Sequence, residues 1–125
     1  MVCAEGNIYL VGEDYAEERV TEYNTRTNTW RNMPSLKKRS GASVCTLDNK
    51  IFVLGDGNYG NTTCEMLDLS QDDPKWRYID NMKRKHWHGD AVVTEKKIYI
   101  LGGNYDTSVE VYDVDQGTIF IDLYL

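Results

Sequence analysis

GNIYLVG, residues 6–12, opens the pattern that decides the fold of this 125-residue chain. The pattern recurs as NKIFVLG at residues 49–55 and as KKIYILGG at residues 96–103. The central isoleucines of the copies are 43 and 47 residues apart. A short run of Ile, Val, Leu and Tyr that ends at glycine is typical of a β-strand. Its recurrence at this distance indicates a repeated structural unit.

Three other runs recur around this strand. A second run follows each copy, at residues 20–24, 64–68 and 109–113. A third run carries Trp30 or Trp76, and a fourth run of small residues precedes the later copies. No segment shows a capped helical pattern, so the chain is predicted to be all-β. Four strands in a period of about 45 residues predict one antiparallel blade of a β-propeller per repeat. The predicted repeats are about 1–36, 37–82 and 83–125.

Together these runs resemble the kelch repeat over nearly the whole chain. The resemblance rests on the double glycine Gly102–Gly103, on the V-x-V-Y-D run at residues 109–113, and on the Trp–Met pairs. The first two repeats have a single glycine, and the third lacks the tryptophan, with Ile119 and Phe120 as the nearest substitutes. Kelch propellers close with more blades than three, typically six. The expected fold is therefore about three kelch-type blades that need self-association or further blades to close a ring.

Several residues are predicted to have structural roles in this fold. Glycine after the second strand lets the backbone turn where a side chain would clash, and the tryptophans are expected to wedge against a neighbouring blade. The predicted structural residues are Gly12, Gly55, Gly102, Gly103, Trp30, Trp76, Tyr23 and Tyr112.

Loops at one face of the predicted propeller are the candidate binding site. Tyrosine is a common anchor at interfaces, and arginine binds carboxylates in a bidentate manner, so an acidic, extended peptide is the expected partner. Substitution of Arg39 should then weaken binding with little loss of fold. The same pattern also fits ordinary solvated loop residues. The candidate partner-binding residues are Tyr15, Arg39, Tyr59, His86, Trp87 and Tyr105.

Composition and charge exclude several classes of protein. The net charge is −6, which argues against binding to nucleic acid or to an anionic membrane surface. The N-terminal residues lack the apolar run of a signal peptide. The three cysteines, Cys3, Cys45 and Cys64, are odd in number, widely spaced and never in a C-x-x-C pair, which fits reduced thiols in a reducing compartment. A cytoplasmic protein without a membrane segment is therefore expected.

No motif predicts an enzyme, a cofactor or a metal site. The glycine motif of residues 55–60 resembles a nucleotide-binding loop, but a strand pattern follows where that site needs a helix. His86 and His88 offer two imidazoles, whereas a metal site needs further ligands.

The kelch resemblance implies a non-enzymatic protein–protein interaction module. Among kelch proteins, the chain most resembles the substrate-recognition propeller of BTB-kelch adaptors for cullin-based ubiquitin ligases. Two alternatives are an actin-associated structural kelch protein and a metal-dependent kelch-type oxidase, whose copper site requires ligands from several blades.

Overall fold

A computed structural model describes residues 1–13, 16–37, 39, 41–56, 61–86, 89–103 and 107–124. These residues form twelve β-strands in three antiparallel four-stranded sheets. None of them forms a helix with the length and apolar character needed to span a membrane. The predicted all-β fold, with three blade-like sheets that do not close into a ring, is confirmed.

Each sheet is a simple meander in which consecutive strands pair. The strands of the first sheet are β1 (Val2–Ala4), β2 (Asn7–Glu13), β3 (Ala16–Asn24) and β4 (Thr29–Asn32). Those of the second sheet are β5 (Ser43–Leu47), β6 (Lys50–Asp56), β7 (Asn61–Asp68) and β8 (Trp76–Ile79). Those of the third sheet are β9 (Asp90–Thr94), β10 (Lys97–Leu101), β11 (Ser108–Asp113) and β12 (Thr118–Tyr124).

Tight turns join the first and second strands of each sheet. In the second sheet the central turn residues Asp48 and Asn49 have φ of 51° and 56°. Positive φ at both positions is the type I′ geometry, which matches the twist of the flanking strands. The sequence predicts this turn type from the tolerance of Asn for positive φ.

Glycines mark the ends of the second strands. Gly12 and Gly55 have φ of 65° and 73°, and each lies where the register of pairing with the third strand shifts. The extra residues of these irregularities lie on the third strands, β3 and β7, opposite the glycines, and a bulge of this kind bends the paired strands. In the third sheet, Gly102 and Gly103 follow β10 with φ of 54° and 107°.

The core consists of two layers, one on each side of the second sheet. Its strand β6 is buried on both faces, with Ile51 and Val53 toward the first sheet and Phe52 and Leu54 toward the third. The first strands of neighbouring sheets also lie side by side. The Thr46 hydroxyl, for example, donates to the Cys3 carbonyl oxygen at 2.8 Å. The sheets therefore stack like blades around an axis near their first strands.

The predicted wedge residues differ in environment. Trp76 packs against the layer between the first two sheets, and its indole N–H donates to the Pro34 carbonyl oxygen at 2.7 Å. Tyr112 is buried 5.6 Å from the Phe52 ring. Trp30 corrects the prediction because 61% of its surface is exposed. Its ring centre lies 4.8 Å from that of Tyr23, with the ring planes tilted by 45°, on a face that no other described sheet covers.

Candidate interaction site on the loop face

The loop face is the end of the structure at which the second strand of each sheet terminates. The linkers from β4 to β5 and from β8 to β9 run at this end. The Leu36 N–H donates to the Glu18 oxygen at 3.1 Å, and the Met82 N–H donates to the Thr62 oxygen at 2.9 Å. These bonds tie each linker to the start of the third strand of its preceding sheet, so linkers and strand-connecting loops share one face.

Arg39 lies in the first linker, and only 4% of its surface is exposed. Its Nε donates to Glu65 Oε2 at 3.0 Å. Its Nη1 donates to the carbonyl oxygens of Gly55 and Thr63, both at 2.8 Å, and its Nη2 donates to Thr63 Oγ1 at 2.9 Å. The side chain therefore fastens the linker to the end of β6 and the start of β7.

His86 has the same place in the second linker and is 7% exposed. Its Nδ1 lies 2.7 Å from the Gly102 carbonyl oxygen, and its Nε2 lies 2.6 Å from Glu110 Oε2. Because a carbonyl oxygen only accepts, Nδ1 carries a hydrogen, and Nε2 shares a second one with the Glu110 carboxyl group. Glu110 also accepts hydrogen bonds from the main-chain N–H groups of Lys83 and Arg84.

The burial of Arg39 and His86 corrects the expectation of an exposed basic rim. Each side chain faces a buried carboxyl group, Glu65 or Glu110, and a charge removed from water requires such a partner. Sequence reasoning missed both glutamates. The signal that points to them is their identical position in the second recurring run, where the first repeat has the uncharged Thr21.

A cleft of about 260 Å³ opens at the loop face between the first two sheets. Its wall includes Val11 and Gly12 from β2, Leu36 and Arg39 from the first linker, and Asp90 from β9. The lining of the cleft is more polar than apolar, so it suits hydrogen bonding to an extended peptide better than the burial of an apolar ligand.

Known proteins share the repeat. Kelch repeat protein C2 of Vaccinia virus is 31% identical over 106 residues, which cover 80% of this chain and 20% of that protein. A putative F-box/kelch-repeat protein of Arabidopsis thaliana is 32% identical over 98 residues, 78% of this chain and 27% of that protein. Kelch-like protein 15 of Gallus gallus is 28% identical over 116 residues, 86% of this chain and 23% of that protein. The chain belongs to the kelch-repeat family. No family model matches it.

The kelch assignment supports a protein-interaction module. The three relatives are named for their repeats, and none of these names states an enzymatic activity. The chain spans between 20% and 27% of their lengths. Its three sheets are kelch blades, and the loop face is one end of these blades.

The loop face also carries exposed positive side chains, in addition to the buried pairs Arg39–Glu65 and His86–Glu110. Lys83 and Lys85 in the second linker and Lys37 in the first are exposed. The Lys37 Nζ lies 5.6 Å from the centre of the Tyr78 ring, which is itself exposed. The main-chain N–H of Lys83 donates to the Glu110 carboxylate, and this hydrogen bond fixes the position of the second linker.

The other candidate binding residues lie outside the described residues. These are Tyr15, Tyr59, Trp87 and Tyr105, and their contact with a partner stays a prediction. His88 is also outside the described part of the chain. Among the residues that the structure describes, no group of three or more His, Cys, Asp or Glu side chains is placed to hold a metal ion.

Two of the cysteines are part of the kelch core. Burial raises the pKa of Cys45 to about 12 and that of Cys64 to about 11. Both therefore stay protonated near neutral pH, and a thiol is a poor nucleophile compared with a thiolate. Cys3, by contrast, is exposed.

Proposed function

We propose that this kelch module binds an acidic, extended segment of a partner protein across its loop face and catalyses no reaction. The cleft between the first two blades is the observation that carries the proposal. Four of the five N–H groups of Arg39 are bonded within the blade. The remaining Nη2 N–H has no acceptor among the described residues, and a carbonyl or carboxylate oxygen of the bound segment would supply one.

The exposed lysines of the linkers provide attraction for this segment. Lys37, Lys83 and Lys85 place positive charges on the linkers of the loop face, next to the exposed Glu18 and Asp90, on a chain whose net charge is −6. Opposite charge around an interface raises the association rate and selects among partners more than it raises affinity. Tyr78 adds an exposed aromatic ring beside Lys37.

Fluorescence anisotropy with labelled Asp- and Glu-rich peptides tests the binding site. The double variant Lys83→Glu/Lys85→Glu is expected to weaken binding about tenfold, close to 1.4 kcal/mol. Lys75→Glu/Lys96→Glu is the charge-matched control, because both lysines are exposed and lie before β8 and β10, at the opposite end of the blades. Equal affinities of the two variants for the acidic peptides would contradict the proposed site.

The proposed biological role is substrate recognition, in the cytoplasm, for a cullin-based ubiquitin ligase. The similarity to BTB-kelch adaptors supports this role, as does the combination of kelch repeats with an F-box in the name of the Arabidopsis relative. In such an arrangement the kelch module selects the protein to be modified, and a separate domain recruits the ligase. Fold-level similarity is the basis of this part of the proposal.

Crosslinking in cells followed by mass spectrometry tests the ligase role. Proteins that crosslink to the wild-type chain, but not to Lys83→Glu/Lys85→Glu, should accumulate when cullin neddylation is inhibited. If their levels stay constant, the ligase role is wrong although the binding site stands. Co-sedimentation of the chain with filamentous actin would favour the actin-associated alternative instead.

A further inference from the structure

The first blade has an apolar row on the face away from the second blade. We call it the leading row: Cys3, Ile8, Tyr23 and Trp30, which are neighbours across β1 to β4. Cys3 and Trp30 are exposed, and Ile8 and Tyr23 are partly buried. The indole N–H of Trp30 makes no hydrogen bond among the described residues. No described sheet covers this row.

The third blade has a second apolar row, on the face away from the second blade. We call it the trailing row: Val92, Tyr99, Val111 and Phe120, neighbours across β9 to β12. Val92 and Phe120 are 49% and 41% exposed. Val111, which lies between Tyr99 and Phe120 in the register, is buried, and Tyr99 is partly buried. Apolar side chains that span all four strands of a blade indicate an interaction surface.

The contacts between neighbouring blades of the chain show which surface packs against a leading row and which against a trailing row. In the second blade, the leading-row counterparts are Thr46, Ile51, Leu67 and Trp76, and these pack against the first blade. Ile51 and Leu67 are fully buried there. A leading row is therefore covered by the opposite face of another blade.

A trailing row is covered by the facing side of the blade that follows it in the chain. In the second blade, the trailing-row counterparts are Cys45, Phe52, Met66 and Arg77, and the first three are buried against the third blade. Phe120 occupies the position of Arg77, so the open trailing row is more apolar than the one that is already packed.

We propose that the leading row of one copy of this chain packs against the trailing row of a second copy. Each copy carries both halves of the contact that already joins its own blades, so the intermolecular interface continues the internal one. Trp30 would then meet Phe120 of the second copy, and paired aromatic rings contribute beyond the area that they bury.

Two copies form a closed ring, because the leading row of each copy packs against the trailing row of the other. Propellers close at about four to eight blades, and two copies of a three-blade chain supply six. A head-to-tail contact whose rotation closes produces a finite ring rather than a filament. The assembly is a symmetric dimer in which two identical interfaces form together.

Solution mass from light scattering after size exclusion tests the pairing on the full 125-residue chain. The wild type should have twice the 14.4 kDa mass of one chain. Trp30→Glu and Phe120→Glu should each be monomeric, because a buried unpaired carboxylate opposes association. Lys75→Glu is the control, since Lys75 is an exposed residue on the middle blade outside both rows, and it should stay dimeric.

Mixing the two monomeric variants separates this pairing from other dimers. Trp30→Glu keeps its trailing row and Phe120→Glu keeps its leading row, so the mixture should form a one-to-one heterodimer through one intact interface. A contact between two like rows would instead leave one of the variants dimeric alone. Cys3 gives a second readout, because maleimide should label it faster in Phe120→Glu than in the wild type.

Several outcomes overturn the proposal. They are a monomeric wild type, dimers that persist in both variants, a mixture that stays monomeric, and assemblies that keep growing with concentration. Circular dichroism checks that the variants are folded. If a glutamate variant fails to fold, Trp30→Gln and Phe120→Gln replace the pair, and they should weaken the dimer in the same pattern.

Discussion

Replacement of Arg39 by methionine removes the cation that faces the buried carboxylate of Glu65. The two groups are 3.0 Å apart, with side-chain exposures of 3% and 5%. Methionine fills similar space but offers no hydrogen to Glu65, Gly55 or Thr63. The variant therefore leaves a carboxylate and three further acceptor groups without their donor.

The expected loss of stability follows from this burial. Removing one partner of a buried ion pair costs about 3–5 kcal/mol, because the other charge stays out of water. With a urea slope of about 1.5 kcal/mol per molar, the unfolding midpoint should fall by roughly 2–3 M. This replaces the expectation, drawn from the sequence, that Arg39 can be changed with little loss of fold.

Urea unfolding followed by circular dichroism measures this effect. The double variant Arg39→Met/Glu65→Leu should recover most of the loss, since replacing both members of a buried pair by apolar residues is often close to neutral. Lys75→Met is the control, because its ion pair with Asp73 is fully exposed and such pairs contribute about 0–1 kcal/mol. A midpoint for Arg39→Met equal to that of Lys75→Met, or a double variant as unstable as Arg39→Met, would refute the reasoning.

Three further variants or probes test the packing. Trp76→Ala should destabilise the chain by about 2–4 kcal/mol in thermal unfolding, since it removes a partly buried aromatic ring and its bond to the linker. Gly89→Ala should cost about 1–3 kcal/mol, because the added Cβ would lie 2.8 Å from the main-chain oxygen of Leu101. In the folded, monomeric Phe120→Glu variant, maleimide should modify Cys3 but reach the core cysteines only after unfolding, because burial raises the pKa of both core thiols.

Each of these substitutions is compared with a control substitution of the same residue type. Trp30→Ala, made in the monomeric Phe120→Glu background, should cost less than about 1 kcal/mol because Trp30 is exposed. Gly117→Ala meets no atom within 4 Å, so it should show only the cost of positive φ, about 1 kcal/mol. Equal losses for the two tryptophans, or a smaller loss for Gly89→Ala than for Gly117→Ala, would contradict the assigned packing. Modification of Cys45 or Cys64 in the folded protein would contradict their burial.

Local patterns were sufficient to predict the strands of this protein. The runs around Ile8, Ile51 and Ile98 are second strands that end next to glycines with positive φ, a conformation that glycine adopts without a steric penalty. The turn at Asp48 and Asn49 followed from residue type in the same way. These features depend on neighbours in the chain, which the sequence displays directly.

The site was only partly predictable. Positions of Arg39 and His86 in the linkers at one face followed from the repeat, but their exposure did not. Arg39 meets Glu65 across 26 residues, and His86 meets Glu110 across 24. Whether a cation at a loop position faces water or a carboxylate depends on how the linker folds over its own blade.

The sequence by itself determined the number of blades, the order of their strands and the residues that bend them, because hydrophobic alternation and turn chemistry act over a few residues. Only the tertiary structure decided which charges are buried and which apolar rows stay open. Trp30 and Trp76 have the same place in their repeats, yet one is exposed and the other is bonded to a neighbouring linker. The difference lies in whether a second sheet covers that face, and burial is a property of the stacked blades rather than of any one repeat.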